Sequence, residues 1–206
     1  MKRFIAAIFL YALAVSVAFP LDVRDGVVRI KVDDMSGHVT MYRLVTIQGS
    51  LYEPLVFDTD ARTSSLLISI DGRKTKLGDS QDFKISVRKT NTGAEVEYAS
   101  PNAILSEKVD FIRSADSRVS NGFKVSYEVK NLSARDFKVR IRQIWDTRLG
   151  EKTGLHFATD KASRIEEEQK FTRESEESFI ASPGETATFA LLLKKFERPD
   201  SVVIAN

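Results

Sequence analysis

The feature that most constrains this chain is a period of two. In the segment that opens at Gly122, Phe123, Val125, Tyr127 and Val129 alternate with Lys124, Ser126, Glu128 and Lys130. After a polar turn, Phe137, Val139, Ile141, Gln143 and Trp145 repeat the scheme against Lys138, Arg140 and Arg142. Successive side chains leave a β-strand on opposite faces, so each run is a strand with one apolar and one charged side. Read as a hairpin, the two runs form a single apolar face that only a second layer can cover. Burying each large side chain is worth about 1.5–3 kcal/mol, and a one-residue slip would move Phe123, Tyr127 and Phe137 into water.

The same rhythm runs through the chain from Val27 onward. Val28, Ile30 and Val32 alternate with Arg29, Lys31 and Asp33, and the run from His38 to Leu44 reads as a strand covered on both faces. Ser65–Ile70 and Arg73–Leu77 flank Asp71-Gly72, the pair that supplies the positive φ angles of a type I′ hairpin. Phe83, Ile85 and Val87 lead through Asn91-Thr92-Gly93 into Glu95–Tyr98, a second hairpin. Ile104–Ile112 is a further strand in which Glu107-Lys108 marks a bulge or an edge.

Asp160–Ser178 breaks the pattern. It carries Glu166-Glu167-Glu168 and a second acidic run at Glu174–Glu177, and reads as a short surface helix or a charged, solvated loop. After the Pro183-Gly184 turn, Thr186–Phe196 with its Leu191-Leu192-Leu193 centre reads as a strand buried on both faces, and Val202–Ile204 as an edge strand. Short strands of this number in one unit predict an all-β fold, a large antiparallel β-sandwich of two packed sheets.

The first residues are of another kind. Met1-Lys2-Arg3 precedes an uncharged run from Phe4 that closes on Ser16-Val17-Ala18, with small residues where a signal peptidase reads. Residues 1–18 are therefore expected to be a secretory leader, and residues 19–206 one domain that is periplasmic or extracellular. A retained anchor is the alternative, since the uncharged run extends through Phe19-Pro20-Leu21. No later stretch approaches the length of a membrane span. The chain has 31 basic and 29 acidic residues, and losing Lys2 and Arg3 balances them. A balanced, interspersed surface lacks the concentrated positive field that phosphate backbones require, so no nucleic-acid partner is expected. With no cysteine there is no disulfide, thiolate metal site or cysteine nucleophile, and stability must come from the core.

With only two histidines, hydrolytic triads and histidine-rich metal sites have few ways to be built, and neither a cofactor nor a metal is expected. His38, in Ser36-Gly37-His38, reads as a surface turn residue. His156 follows Asp146-Thr147-Arg148-Leu149-Gly150-Glu151 closely, so Asp146, Glu151 and His156 are the residues to test if the protein is an enzyme; the plainer reading makes His156 a structural histidine. Trp145 shares the inward parity of Val139 and Ile141 and reads as core rather than as a sugar-stacking platform. Asp146-Thr147 reads as a turn device with Gly150 supplying a positive φ, and Arg142, Asp146, Arg148 and Glu151 as ion-pairing around it. Asp33-Asp34 and Asp58-Thr59-Asp60 carry oxygen ligands without the spacing of a calcium loop.

The segment Phe123–Asn131, its polar turn, and Val139-Arg140-Ile141-Arg142 leading to Asp146-Thr147 resembles the strand–Asn–turn–strand segment of galactose-mutarotase-like supersandwich domains. Arg142–Glu151 is also similar to an Arg-x-x-x-Asp-Thr-x-Leu-Gly-Glu segment of exported bacterial β-sandwich proteins. The resemblance implies a two-sheet fold associated with carbohydrate-active proteins. It does not carry catalysis over, because His38, His156 and a glutamate do not fall on the epimerase pattern. The leading expectation is a non-catalytic exported β-sandwich of the bacterial periplasm or envelope that binds a saccharide or a protein partner. Its rivals are a carbohydrate-active enzyme, epimerase- or glycosidase-like, on the same fold, and a structural subunit of an envelope assembly.

Overall fold

The computed structural model describes residues 20–46, 48, 50–60, 62–151, 153–194 and 198–205; the expected leader, and Phe196 at the end of the Leu-rich run, lie outside them. Among the described residues there is no helix, and all strand pairing is antiparallel. Among those residues, no helix is long and apolar enough to cross a membrane.

The first sheet is a meander of β1 (Leu21–Asp25), β2 (Val28–Val32), β3 (Val39–Thr46) and β4 (Leu51–Pro54). β3 is buried from both sides at Thr40, Met41 and Tyr42, as its mixed sequence predicts. Next come β5 (Ser65–Ile70) and β6 (Arg73–Lys76), joined by Asp71 (φ 48°) and Gly72 (φ 88°), the two positive φ angles that the Asp-Gly pair announces. β7 (Lys84–Lys89), β8 (Gly93–Ala99), β9 (Ala103–Ile112) and β10 (Gly122–Asn131) form a second meander. β11 (Val139–Ile144) adds to β5, giving the order β11-β5-β6.

One core joins these sheets. Ile30 and Val32 of β2, Leu66 and Ile68 of β5, Val96 and Tyr98 of β8, and Leu105 and Val109 of β9 pack as a single cluster. The β7–β10 sheet is thus one layer of a sandwich, and the β1–β4 and β11-β5-β6 sheets share the other. The outer face of the β7–β10 layer is a charged lattice, with Arg88 on Glu95 at 2.5 Å and Lys108 on Glu128 at 3.2 Å. That face meets water.

The expected hairpin across residues 123–145 does not form. β10 pairs along its whole length with β9, from Gly122↔Ile112 to Asn131↔Ala103, while β11 pairs with β5, from Val139↔Ile70 to Ile144↔Ser65. The two apolar stripes do face one another, but from opposite layers. The intervening segment is too long for a tight hairpin and has its own partners. Asn131 accepts from the Ser133 backbone N–H and donates to the Arg135 carbonyl, and the Lys138 N–H donates to the Asp71 carboxylate at 2.9 Å, delivering Val139 to the end of β5.

Past β11 the chain builds two smaller sheets from β12 (Ala158–Thr159), β13 (Gln169–Thr172), β14 (Phe179–Pro183), β15 (Thr188–Leu192) and β16 (Ser201–Ile204), in the orders β12-β14-β15 and β13-β16. The acidic region is therefore loop and strand, not helix. β15 is not buried on both faces: it is an edge strand whose Leu192 is 45% exposed, because only β14 covers it. β16 pairs with β13 alone, as its edge reading anticipates. Trp145 packs edge-on against Phe189 of β15, centroids 5.6 Å apart, beside Met41, Leu55, Val56 and Leu149; it belongs to a core rather than to an open platform.

Candidate functional site

The chemistry concentrates inside the sandwich. β9 runs straight through Glu107-Lys108, paired on both sides, with Glu107 opposite Val96 of β8 and Tyr127 of β10. The expectation of a bulge or an edge there is overturned. Parity is kept through the dipeptide, so Lys108 joins the charged outer face while Glu107 points inward between Leu105 and Val109 and is 4% exposed. Burial drives the Glu107 carboxyl up to about 7, well above the usual carboxylate range, and the Tyr127 hydroxyl only partly opposes this.

Around Glu107 sit groups from four other elements. The Tyr127 hydroxyl lies 3.5 Å from Glu107 Oε1 and 3.0 Å from Gln143 Oε1, so it stands between β9, β10 and β11. A phenol has one proton to give, and Tyr127 faces two acceptors. With Glu107 protonated the set closes: the carboxylic acid donates to Tyr127, Tyr127 donates to Gln143, and Gln143 Nε2 donates to the Ile144 carbonyl at 3.1 Å. Burial raises the Tyr127 and Tyr98 hydroxyls further above their ordinary range, so both stay protonated, and Tyr98 donates to the Gly37 carbonyl at 3.1 Å.

His38 completes the group, against the expectation that it sits on the surface. The turn from Asp33 to Gly37 is present: the Asp33 carboxylate accepts from the Met35 and Ser36 backbones, and Gly37 takes φ 73°. The histidine that follows is nevertheless 8% exposed, because Gly78 and Tyr98 come in from distant parts of the chain. Its Nε2 is buried with no hydrogen-bond partner among the described residues, and burial lowers its pKa, favouring the neutral ring. His38, Ser64, Ser65, Tyr98, Glu107 and Gln143 line one small cavity of about 10 Å³, room for about one water.

The residues singled out from sequence do not assemble in the same way. Asp146 follows β11, half-buried, and its backbone N–H donates to the Ser64 hydroxyl at 3.0 Å. Glu151 is exposed in the turn, and His156 is half-buried just before β12. Among the described residues no hydrogen bond or ion pair joins any two of the three. The ion-pair cluster expected around the turn is also missing: Arg148 reaches Asp58 at 3.9 Å instead of Asp146 or Glu151. Gly150 does take the positive φ assigned to it, 85°, with the Leu155 carbonyl packed where a Cβ would lie.

Among the described residues no group of three or more histidine, aspartate or glutamate side chains is placed to hold a metal ion. Asp60 is taken up by Arg62, whose hydrogen bonds hold its carboxyl down to about 2, and Asp58 accepts from the Tyr42 hydroxyl. On the outer face of the first sheet the rings of Tyr42 and Tyr52 are capped by cations, Arg29 at 5.6 and 5.3 Å and Lys31 at 5.4 Å from Tyr42. A second depression, about 480 Å³, is lined among the described residues by Ala162 and the run from Arg164 to Gln169.

These features define a class, a two-layer antiparallel β fold with a sealed polar cluster in its core. Comparison with known proteins finds no matching family model, no matching curated protein and no matching solved structure. The resemblance carried by residues 123–151 rests on those residues alone.

Proposed function

We propose that this chain is an exported, non-catalytic β-sandwich of the bacterial periplasm or envelope that works by binding, with a protein partner favoured over a saccharide. The observation that carries the reading is where its reactive groups lie. Glu107, whose raised pKa of about 7 would suit general acid–base work, opens onto space for about one water, while substrate pockets span several hundred Å³. Asp146, Glu151 and His156, the alternative constellation, are mutually unbonded. A saccharide platform would need open aromatic faces, yet among the described residues the large apolar side chains most exposed are not aromatic: Met35, Leu51, Val119, Leu132, Leu192 and Val203. Among the described residues no further strand pairs with the outer edges of β10 and β11, the kind of edge another polypeptide can extend.

The purified protein on a glycan array, beside a light-scattering series in concentration, tests this reading. It expects no retained glycan, and association only with protein. Glycan retention, or sugar turnover that His156→Ala abolishes while folding is kept, would overturn it in favour of the saccharide or enzyme reading.

A further inference from the structure

Two edge strands meet at one flank of the sandwich. β10 ends the β7–β10 layer and β11 ends the facing sheet, and the Tyr127–Gln143 hydrogen bond ties one to the other across the gap between layers. Their inward apolar residues, Val125, Val129, Val139 and Ile141, are half-buried, whereas Leu105 and Val109 on the neighbouring β9 are sealed. Among the described residues no further strand pairs with either outer edge, so the flank offers two strand edges over a partly covered apolar seam.

Its charge is one-sided. Lys124, Lys130, Lys138, Arg140 and Arg142 are all exposed, and none has an ion-pair partner among the described residues; the one acid interleaved with them on these strands, Glu128, is engaged by Lys108. Five like charges keep this edge from pairing with the same edge of another copy, since like charges across strands repel. They leave it open to an acidic chain. Acidic charge predominates in the stretch around β13, where Glu167, Glu168, Glu174 and Glu176 are exposed and lack ion-pair partners among the described residues; they outnumber the two exposed cations between them, Lys170 and Arg173, and Arg173 pairs with Asp200. β13 is itself an edge, paired only with β16. Among the described residues no ion pair joins the two regions within one molecule; Glu166 is engaged by Arg164, while the cations of the flank and Glu167, Glu168, Glu174 and Glu176 remain for an outside partner.

We infer that the basic β10–β11 flank of one molecule docks the acidic 166–177 stretch of a second copy, a head-to-tail contact between unlike surfaces. This deepens the proposal that the chain is a binding protein and rests on it. Because the contact is heterologous, it propagates: each molecule still presents a free flank and a free acidic stretch, so open chains or a closed ring form rather than a two-fold dimer.

Sedimentation of the full protein at about 20 mM and about 500 mM salt tests it, since surface charges are screened within about 20 Å at the first and about 4 Å at the second. The expected result is a mass that grows with concentration at low salt and falls to the monomer at high salt. A flank variant (Lys124→Glu, Lys130→Glu, Arg140→Glu, Arg142→Glu) and an acidic-stretch variant (Glu167→Lys, Glu168→Lys, Glu174→Lys, Glu176→Lys) should each be monomeric, and mixing them should restore assembly. The neutral counterparts, glutamine at the same positions, replace either variant that fails to fold and should weaken assembly without a restoring mixture. Wild-type protein that stays monomeric at low salt overturns the inference. If that monomer still binds poly-glutamate, and loses it in the flank variant, the binding reading stands with a different partner; if it binds neither protein, poly-glutamate nor glycan, both fall together.

Discussion

Replacing Glu107 by glutamine should make the protein more stable at neutral pH and leave it unchanged in acid. In the folded chain the Glu107 carboxyl titrates near 7, against 4.5 for a free side chain. As pH rises through that interval the unfolded chain gives up its proton first, so the folded state binds more protons and stability falls. At 1.36 kcal/mol per pH unit the loss amounts to about 3 kcal/mol between pH 4.5 and pH 7. Glutamine does not titrate, and its amide N–H replaces the acid proton toward Tyr127. Tyr98, Tyr127, Gln143 and His38 face the same space in both proteins, so their contributions cancel in the comparison. Urea unfolding at half-unit steps from pH 4.5 to 8 reads the effect: with a slope of about 2 kcal/mol per M, the midpoint of the variant should pull ahead by about 1.5 M across the series. Parallel pH profiles for the two proteins would refute the argument that a neutral carboxyl is sealed in the core.

Other consequences follow from the same geometry. Tyr127→Phe removes the hydroxyl that donates to Gln143 Oε1 and should lower unfolding free energy by about 1–3 kcal/mol, read by the same urea series at pH 5. His38, its pKa lowered by burial, contributes stability above pH 6.5 that is lost as pH falls below that value, the opposite sign to Glu107. An NMR titration of its ring should show a midpoint below pH 6.5, and a midpoint at or above that pH would contradict its burial. Gly150→Ala must hold a side chain at φ 85° with a Cβ 2.2 Å from the Leu155 carbonyl oxygen, and should cost about 2 kcal/mol or more in thermal unfolding.

Much of the architecture is legible in the sequence because side-chain parity is a local property. The alternation places Ile30, Leu105, Val109 and Tyr127 facing inward, and Asp71-Gly72 and Gly150 take the backbone angles that their positions require. Strand partners are not legible in the same way, since parity says which face a residue occupies and nothing about which strand lies beside it. The stripes of β10 and β11 therefore read as one hairpin face, although the longer register with β9 and the hydrogen bonds of Asp71 to the Lys138 backbone place them in opposite layers. Glu107 was open to a parity argument, sharing its phase with Leu105, Val109 and Phe111; a charged residue at an inward position reads instead as a break. The burial of His38 had no local signal at all, because Tyr98 and Gly78, which enclose it, come from elsewhere in the chain.

Backbone hydrogen exchange on β10 tests the central claim most directly, that the protein acts through its exposed strand edges while its reactive groups stay sealed. In dilute protein at high salt, the β10 amides that point away from β9 should exchange freely, and at high concentration in low salt they should become protected together with the amides of β13. If those β10 amides are protected even in the dilute monomer, or show no change with concentration, the flank is not a binding edge and the account is contradicted.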